Sequence, residues 1–246
     1  MYDITQRRTI RRYSDREVST QMLNELMRQA EQTQTMGNLQ LYSVVVSRDA
    51  EMKRRLAPAH FCQPMVEQAP VVLTFCADYN RTTAWCLERK AHPGYGNFLS
   101  FLNAATDALL YCQTFCHLSE EAGLGLCFLG TTIYNAQQII DTLQLPKLVM
   151  PVATITLGWP DEDIPVSDRL PLEAVVHEEV YQPYTIESIN RFYSHKEALE
   201  ENKHFVEINS KETLAQIFTD IRYKGDDCKA MSATLLDALR NQGFLE

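Results

Sequence analysis

No stretch of the chain approaches the ~18 apolar residues that a membrane-crossing helix needs. The first ten residues, MYDITQRRTI, contain no apolar segment of the kind that opens a secretory signal. Basic residues are not in excess either: 23 Lys and Arg face 32 Asp and Glu, for a formal net charge of −9. That balance argues against nucleic acid and against a membrane surface as partners. Cysteines at metal or redox spacing are missing as well. The seven cysteines, Cys62, Cys76, Cys86, Cys112, Cys116, Cys127 and Cys228, are odd in number, include no Cys-x-x-Cys and lie partly in apolar runs. Reduced, mostly buried thiols in a cytoplasmic protein are the expectation.

Side-chain catalysts and metal ligands are equally scarce. The six histidines form neither His-x-x-x-His nor His-Glu-x-x-His. Cys112, Cys116 and His117 lie close together, but residues 116 and 117 of a helix would point about 100° apart and could not both face one ion. No metal site is expected. There is no Gly-x-Ser-x-Gly elbow and no Walker loop. The spacing after Gly123 and Gly125 does not fit a dinucleotide fingerprint. No internal repeat or low-complexity tract is visible.

What is present reads as alternating helices and strands. Ser19 or Thr20 can cap a helix in which Met22, Leu23, Leu26, Met27 and Ala30 recur at helical spacing. The stretch 33–40, TQTMGNLQ, breaks it, because Gly37 and Asn38 tolerate positive φ. A strand over 41–47 is ended by the charged RDAEMKRR, and 69–78, APVVLTFCAD, is apolar enough for a strand buried on both faces. Residues 97–122 predict a helix of about 39 Å at 1.5 Å per residue. Its apolar stripe would be Phe98, Phe101, Leu102, Ala105, Leu109, Cys112 and Cys116, with Gly123 as its stop. A short strand over 124–130, a helix from Asn135 to Leu143 and a buried strand over 149–159 follow. The alternation argues for a layered sheet domain over 1–160. Residues 161–184, next to Pro160 and holding three more prolines, read as an extended arm that must lie on its own domain or on a partner subunit. Residues 185–246 are charged and helical.

Four stretches invite a ligand. RRTIRRY places four arginines between positions 7 and 12 of an acidic chain. If the stretch were helical, Arg8 and Arg11 would share a face, as would Arg7 and Arg11. A phosphate monoester lying between two such guanidinium forks and the Thr9 hydroxyl would relieve their repulsion. A solvated basic spot explains the stretch as well. MGNLQ offers the amides of Asn38 and Gln40 in a turn that suits a heteroaromatic ring, or is an ordinary loop. In GLGLCFLGTT a strand runs into Gly130, which permits close approach of a flat ligand to the backbone, or is a tight turn. In the arm, Arg169 sits between Pro165 and Pro171, where a stiff backbone could aim it at a phosphate or leave it on the surface.

Taken in order, RRTIRRY, MGNLQ, APVVLTFCAD, the Asp-bearing NAATDALLYCQ, the Gly-Leu-Gly strand, TLGWP and RLPLEAVVHEEVYQPY resemble the FMN-dependent nitroreductase family, in particular its oxygen-insensitive NADPH nitroreductase and flavin reductase branch. The resemblance covers roughly residues 6–184. It implies an α+β subunit built as a three-layer α/β/α sandwich with a mixed central sheet. Two such subunits would form a homodimer, with interlocking arms over 161–184 and a helical C-terminal extension over 185–246 packed on the core. It further implies FMN as cofactor, NAD(P)H as electron donor, and a small-molecule acceptor such as a nitroaromatic, a quinone or free flavin, served by a ping-pong hydride transfer. Carried over by position, Arg8, Thr9 and Arg169 would hold the phosphate. Arg11 would lie toward the flavin pyrimidine, with Gln63 and Asn38 near the ring and the Gly130 amide donating to N5. The flavin carries the redox chemistry, which leaves no catalytic side chain to be found. Arg222 and Lys224 are the basic pair expected to meet NADPH.

Two departures from the family pattern bear on this. A lysine is common two residues before the arm arginine, where this chain has Ser167 followed by Asp168, and the serine-rich family turn here carries Thr33, Thr35 and Met36. Two other readings therefore stand beside the first. One is an FMN-binding or redox-sensing protein without catalysis, and the other is a flavin enone reductase or dehalogenase on the same scaffold.

Overall fold

In the computed structural model, which describes residues 2–245, the first helix begins where the Ser19 hydroxyl accepts the N–H of Met22. That helix, α1 (Thr20–Ala30), buries Leu23, Leu26 and Ala30. Strand β1 (Tyr42–Ser47) follows. The charged RDAEMKRR does more than end β1: Asp49 accepts the N–H of Met52 and opens helix α2 (Ala50–Leu56). Next come α3 (Pro64–Gln68), β2 (Val71–Asp78), buried throughout, and α4 (Asn80–Glu88). The long helix is α5 (Phe98–Glu121), capped by Asn97 and followed by Gly123 at φ +86°. Then β3 (Gly125–Leu129), α6 (Ala136–Leu143) and β4 (Val149–Gly158) complete the sheet elements.

The strand order is β1-β2-β4-β3, and every pairing is antiparallel. The α+β class stands, but the mixed sheet is corrected: the described residues of one chain make no parallel pair. Continuous apolar strands arise from cover on both faces, whichever way the strands run, so composition could not reveal direction. Val71, Leu73 and Phe75 on β2, with Ile155 and Leu157 on β4, face α1 and α5 around Tyr111 and Phe115. The opposite face, with Val72, Cys127 and Leu129, is covered by α2, α3 and α6 through Leu56, Met65, Val66 and Ile139. Each fully buried Leu or Phe in these layers contributes about 1.5–3 kcal/mol. The β2–β4 register shifts between Phe75 and Cys76, opposite Pro151. A proline inside a central strand has no N–H to give, and a bulge is where a sheet tolerates one.

The stripe expected on α5 is also corrected. The helix buries Ala104, Asp107, Ala108, Tyr111, Cys112, Phe115 and Cys116. Phe98, Leu99, Leu102, Leu109 and Leu110 remain 41–67% exposed. The helix is apolar almost all round, so spacing alone could not say which side faces the sheet.

Residues 166–230 form a second compact unit, while residues 231–245 belong with the first, where Ala238, Leu239 and Phe244 pack with Ala104 and Ala108. These boundaries run otherwise than the divisions drawn at 160 and 184. Within the second unit the chain continues through α7 (Ile186–Ala198), α8 (Glu200–Ile208) and α9 (Leu214–Gln216), which passes into a π-helical turn at Ile217–Arg222. The last helix is α10 (Gly225–Gln242). The Tyr184 hydroxyl donates to the Ala174 carbonyl at 2.9 Å, and its ring meets Phe192 edge-on, so residues 172–184 rest partly on α7. Among the described residues no helix is long and apolar enough to cross a membrane.

Candidate functional site

The arginine stretch is extended, which corrects the shared helical faces considered for Arg7, Arg8 and Arg11. It lies along the sheet edge. The Ile10 N–H donates to the Leu126 carbonyl at 3.0 Å, Ser14 N–H to Trp159 at 2.9 Å, and Asp161 N–H to Arg12 at 3.0 Å. Ile10, 6% exposed, wedges against Gly125, where an added Cβ would come within 2.7 Å of it. Gly158 leaves the same room for the Tyr13 ring. The Tyr13 hydroxyl donates to the Ile10 carbonyl at 2.7 Å, and burial pushes its pKa up, so it stays neutral. Edge pairing and two missing side chains thus override any helical tendency of the stretch.

The four arginines divide into two kinds. Arg7 pairs with Glu120 at 3.1 Å, a carboxyl that also accepts from Tyr2 at 3.0 Å and whose pKa burial raises. Arg12 pairs with Glu162 at 3.4 Å. Partial burial would raise the Glu162 pKa, but the Arg11 and Arg12 N–H groups and the Arg12 guanidinium outweigh it and hold that carboxyl below its usual range. Among the described residues Arg8 meets only Asp163, at 3.4 Å and 91% exposed, a pairing worth little in water. Arg11 lies beside the Cys127 thiol, whose pKa burial raises and Arg11 pulls back. Among the described residues the Thr9 hydroxyl has no hydrogen-bond partner. The two arginines and the threonine expected to meet a ligand are therefore the ones that the fold leaves without a strong partner.

The 36–41 turn is held from beneath. Gly37, Asn38 and Gln40 all have positive φ, at +55°, +56° and +48°. The fully buried Asp107 of α5 accepts the N–H of Met36 at 2.8 Å and of Leu41 at 3.0 Å, pinning both ends. Asn38 stays exposed at the tip, its side-chain oxygen accepting from Gln40 at 2.8 Å. The sequence showed Asp107 only as the acidic residue of NAATDALLYCQ, and nothing in it pointed to the turn.

Gln63 and Gly130 are carried by two further turns. Gln63 follows Phe61 and Cys62, both left-handed at φ +55° and +52°, and its amide donates to the His60 carbonyl at 3.1 Å. Gly130 opens a 3-10 turn, Gly130–Ile133, and a Cβ added there would meet nothing within 4 Å, so space beside it is open. His60 Nδ1 lies 2.9 Å from the Thr131 hydroxyl, and Asn135 donates to the Ala59 carbonyl at 2.9 Å. His60 has no sequence signal at all: it is a single histidine in a short loop.

In the second unit, Arg169 donates to the carbonyls of Ser167 at 3.3 Å and Asp168 at 2.8 Å. The Asp168 carboxylate turns instead to Lys196 of α7 at 2.8 Å. The acid that stood out in the sequence is thus neutralised by a lysine 28 residues further on, and Arg169 keeps its charge. Arg222 lies across the rings of Phe205 and Phe218, at 5.0 and 5.5 Å, while the Lys224 side chain makes no ion pair among the described residues.

Residues 4–159 match the Nitroreductase family. The chain is 33% identical over 180 residues to an FMN reductase (NAD(P)H) of Bacillus subtilis (strain 168), covering 72% of each chain. It is 30% identical over 185 residues to an oxygen-insensitive NADPH nitroreductase of Salmonella typhimurium, covering 75% of each. A solved structure from Bacteroides fragilis NCTC 9343 is 58% identical and superposes with a TM-score of 0.98 over 99% of both chains. With a family match over residues 4–159 and relatives at least 30% identical across more than 70% of its length, the chain belongs to the Nitroreductase family.

Proposed function

We propose that this protein is an FMN-dependent oxidoreductase that takes electrons from NAD(P)H and passes them to nitroaromatics, quinones or free flavin. The observation that carries the reading is the division of the arginines: Arg7 and Arg12 are engaged by Glu120 and Glu162, while Arg8, Thr9 and Arg11 remain open to an anion. The relatives named for FMN and NADPH chemistry match this chain over 180 and 185 residues.

The residues fit the group. Arg8, Thr9 and Arg169 would hold the phosphate, the last kept available because Lys196 takes up Asp168. Arg11 would place positive charge near the pyrimidine side, where reduction puts negative charge. The Gly130 N–H, with open space beside it, would donate to the ring, and Gln63 and Asn38 would orient it. FMN, when bound, supplies the hydride chemistry. The protein binds the ring, orients it and keeps one face accessible to donor and acceptor in turn, which is a ping-pong cycle. Arg222 and Lys224 belong to the same reading as contacts for the donor.

A homodimer is part of the proposal. Leu99 of α5, Leu172, Val175, Val180 and Tyr181 of the arm, and Ile186 at the start of α7 are 63–78% exposed, an apolar load that a monomer rarely leaves in water. Seven free thiols suit a cytoplasmic setting.

The test is the visible spectrum of purified protein before and after anaerobic NADPH and NADH. Flavin absorbance that bleaches with one donor is expected, and Arg8→Ala and Arg169→Ala should each release flavin. Full flavin occupancy in both variants would refute the assignment of the phosphate, and bound flavin that neither donor reduces would refute the enzyme.

A further inference from the structure

We infer that His60 is a positioning residue that ties the Gln63 turn to the Gly130 turn, so that both stay aimed at the same bound ring. This rests on the FMN reading above and adds to it a residue that no ligand touches.

The geometry has four parts. First, the His60 ring bridges residues far apart in sequence, its Nδ1 lying 2.9 Å from the hydroxyl of Thr131, next to Gly130. Second, its carbonyl accepts the Gln63 side-chain amide at 3.1 Å and the Gln63 N–H at 3.2 Å. One residue thereby touches both turns. Third, the turn that delivers Gln63 cannot be relaxed by itself: Phe61 and Cys62 are consecutive left-handed residues, each costing about 1–2 kcal/mol for an ordinary side chain. Something must hold them, and the Asn135–Ala59 hydrogen bond at 2.9 Å is the only other side-chain tie from the 130–135 segment to residues 59–63 among the described residues.

Fourth, packing does not explain the residue. His60 is fully buried, and its Nε2 has no hydrogen-bond partner among the described residues. An unsatisfied ring nitrogen costs about 1–3 kcal/mol, which an aliphatic side chain of similar volume would avoid. Burial lowers its pKa to about 4, so the ring is neutral at physiological pH and brings no charge to the site. What the imidazole has that Leu or Phe lacks is the bond to Thr131.

The experiment compares His60→Phe, Thr131→Val, the double variant and Thr131→Ser. Each is read by FMN dissociation constant, by flavin visible spectrum and midpoint potential, and by thermal unfolding of the FMN-free protein. His60→Phe and Thr131→Val are each expected to weaken FMN about tenfold and to shift the potential, because the Gly130 donor moves. The double variant should be no worse than either single one, since all three lose the same bond. Thr131→Ser, which keeps the hydroxyl, should retain affinity within about twofold. Unchanged affinity and potential in Thr131→Val would overturn the inference, as would additive losses in the double variant or effects confined to thermal stability. Wild-type protein that takes up no FMN would overturn the FMN reading itself, which separates the two failures.

Discussion

Replacing Asp107 puts the structural account of the 36–41 turn at risk. Its carboxylate accepts from Met36 and Leu41 and is itself fully buried. Hydrogen bonds to a charged acceptor are worth about 1.5–3 kcal/mol each. Met36 is 44% exposed, so its N–H can turn to water, whereas Leu41 is 0% exposed and its N–H cannot. The turn that these bonds close also holds Asn38 and Gln40 at positive φ. Asp107→Ala should therefore destabilise the protein by about 3–5 kcal/mol. In a chain of this length that is roughly 6–20 °C in Tm. Asp107→Asn, which keeps one acceptor oxygen, should cost about 2 kcal/mol. Both should be followed by denaturant titration and by FMN affinity at fixed protein concentration, because the freed turn no longer presents Asn38. An Asp107→Ala protein within about 1 kcal/mol of wild type, with unchanged FMN affinity, would refute the reasoning.

Two other perturbations address the edge segment and the buried histidine. Gly125→Ala puts a Cβ within 2.7 Å of Ile10, so the arginine stretch must lift; FMN affinity should fall while the helix content seen by circular dichroism is kept, and tight FMN binding would contradict the wedge. The folded-state pKa of His60 lies near 4, below its ordinary 6.5, so the stability due to its neutral form is present above pH 6.5 and is lost as pH falls from there through 4. The loss is bounded at about 3 kcal/mol. Subtracting the pH profile of His60→Phe from that of wild type isolates it from the carboxylates, and identical profiles would contradict the burial.

Much of the architecture was legible because period and capping are local properties. Ser19 and Gly123 bound their helices where side-chain chemistry says they should. Strand direction was not legible, since Val71–Asp78 and Val149–Gly158 are covered on both faces and their composition reports cover alone. The inward side of α5 was not legible for the same reason. At the site, the arginines stood out by charge, but their division did not, because Glu120 and Glu162 reach them from 113 and 150 residues away in sequence. Phe61 and Cys62 are residue types that ordinarily avoid positive φ, so their turn could not be read from composition. His60 and Lys196 act only through neighbours that folding brings to them, Thr131 and Asp168.

The route of the edge segment also bears on how the protein is made. The chain that holds Arg8, Thr9 and Arg11 in place is made well after them: the Arg11 N–H is bonded to a carboxylate 151 residues downstream. At about 5–20 residues per second, roughly 8–30 s of synthesis separates the two. Until Glu162 is made, the arginine segment lacks the carboxylate that pairs with Arg12 and accepts the Arg11 N–H, so the proposed phosphate site is not yet fixed. On the proposed binding mode, cofactor loading belongs after translation has passed both Glu162 and Arg169, so scarcity of FMN would act late, on chains whose arginine segment is already held.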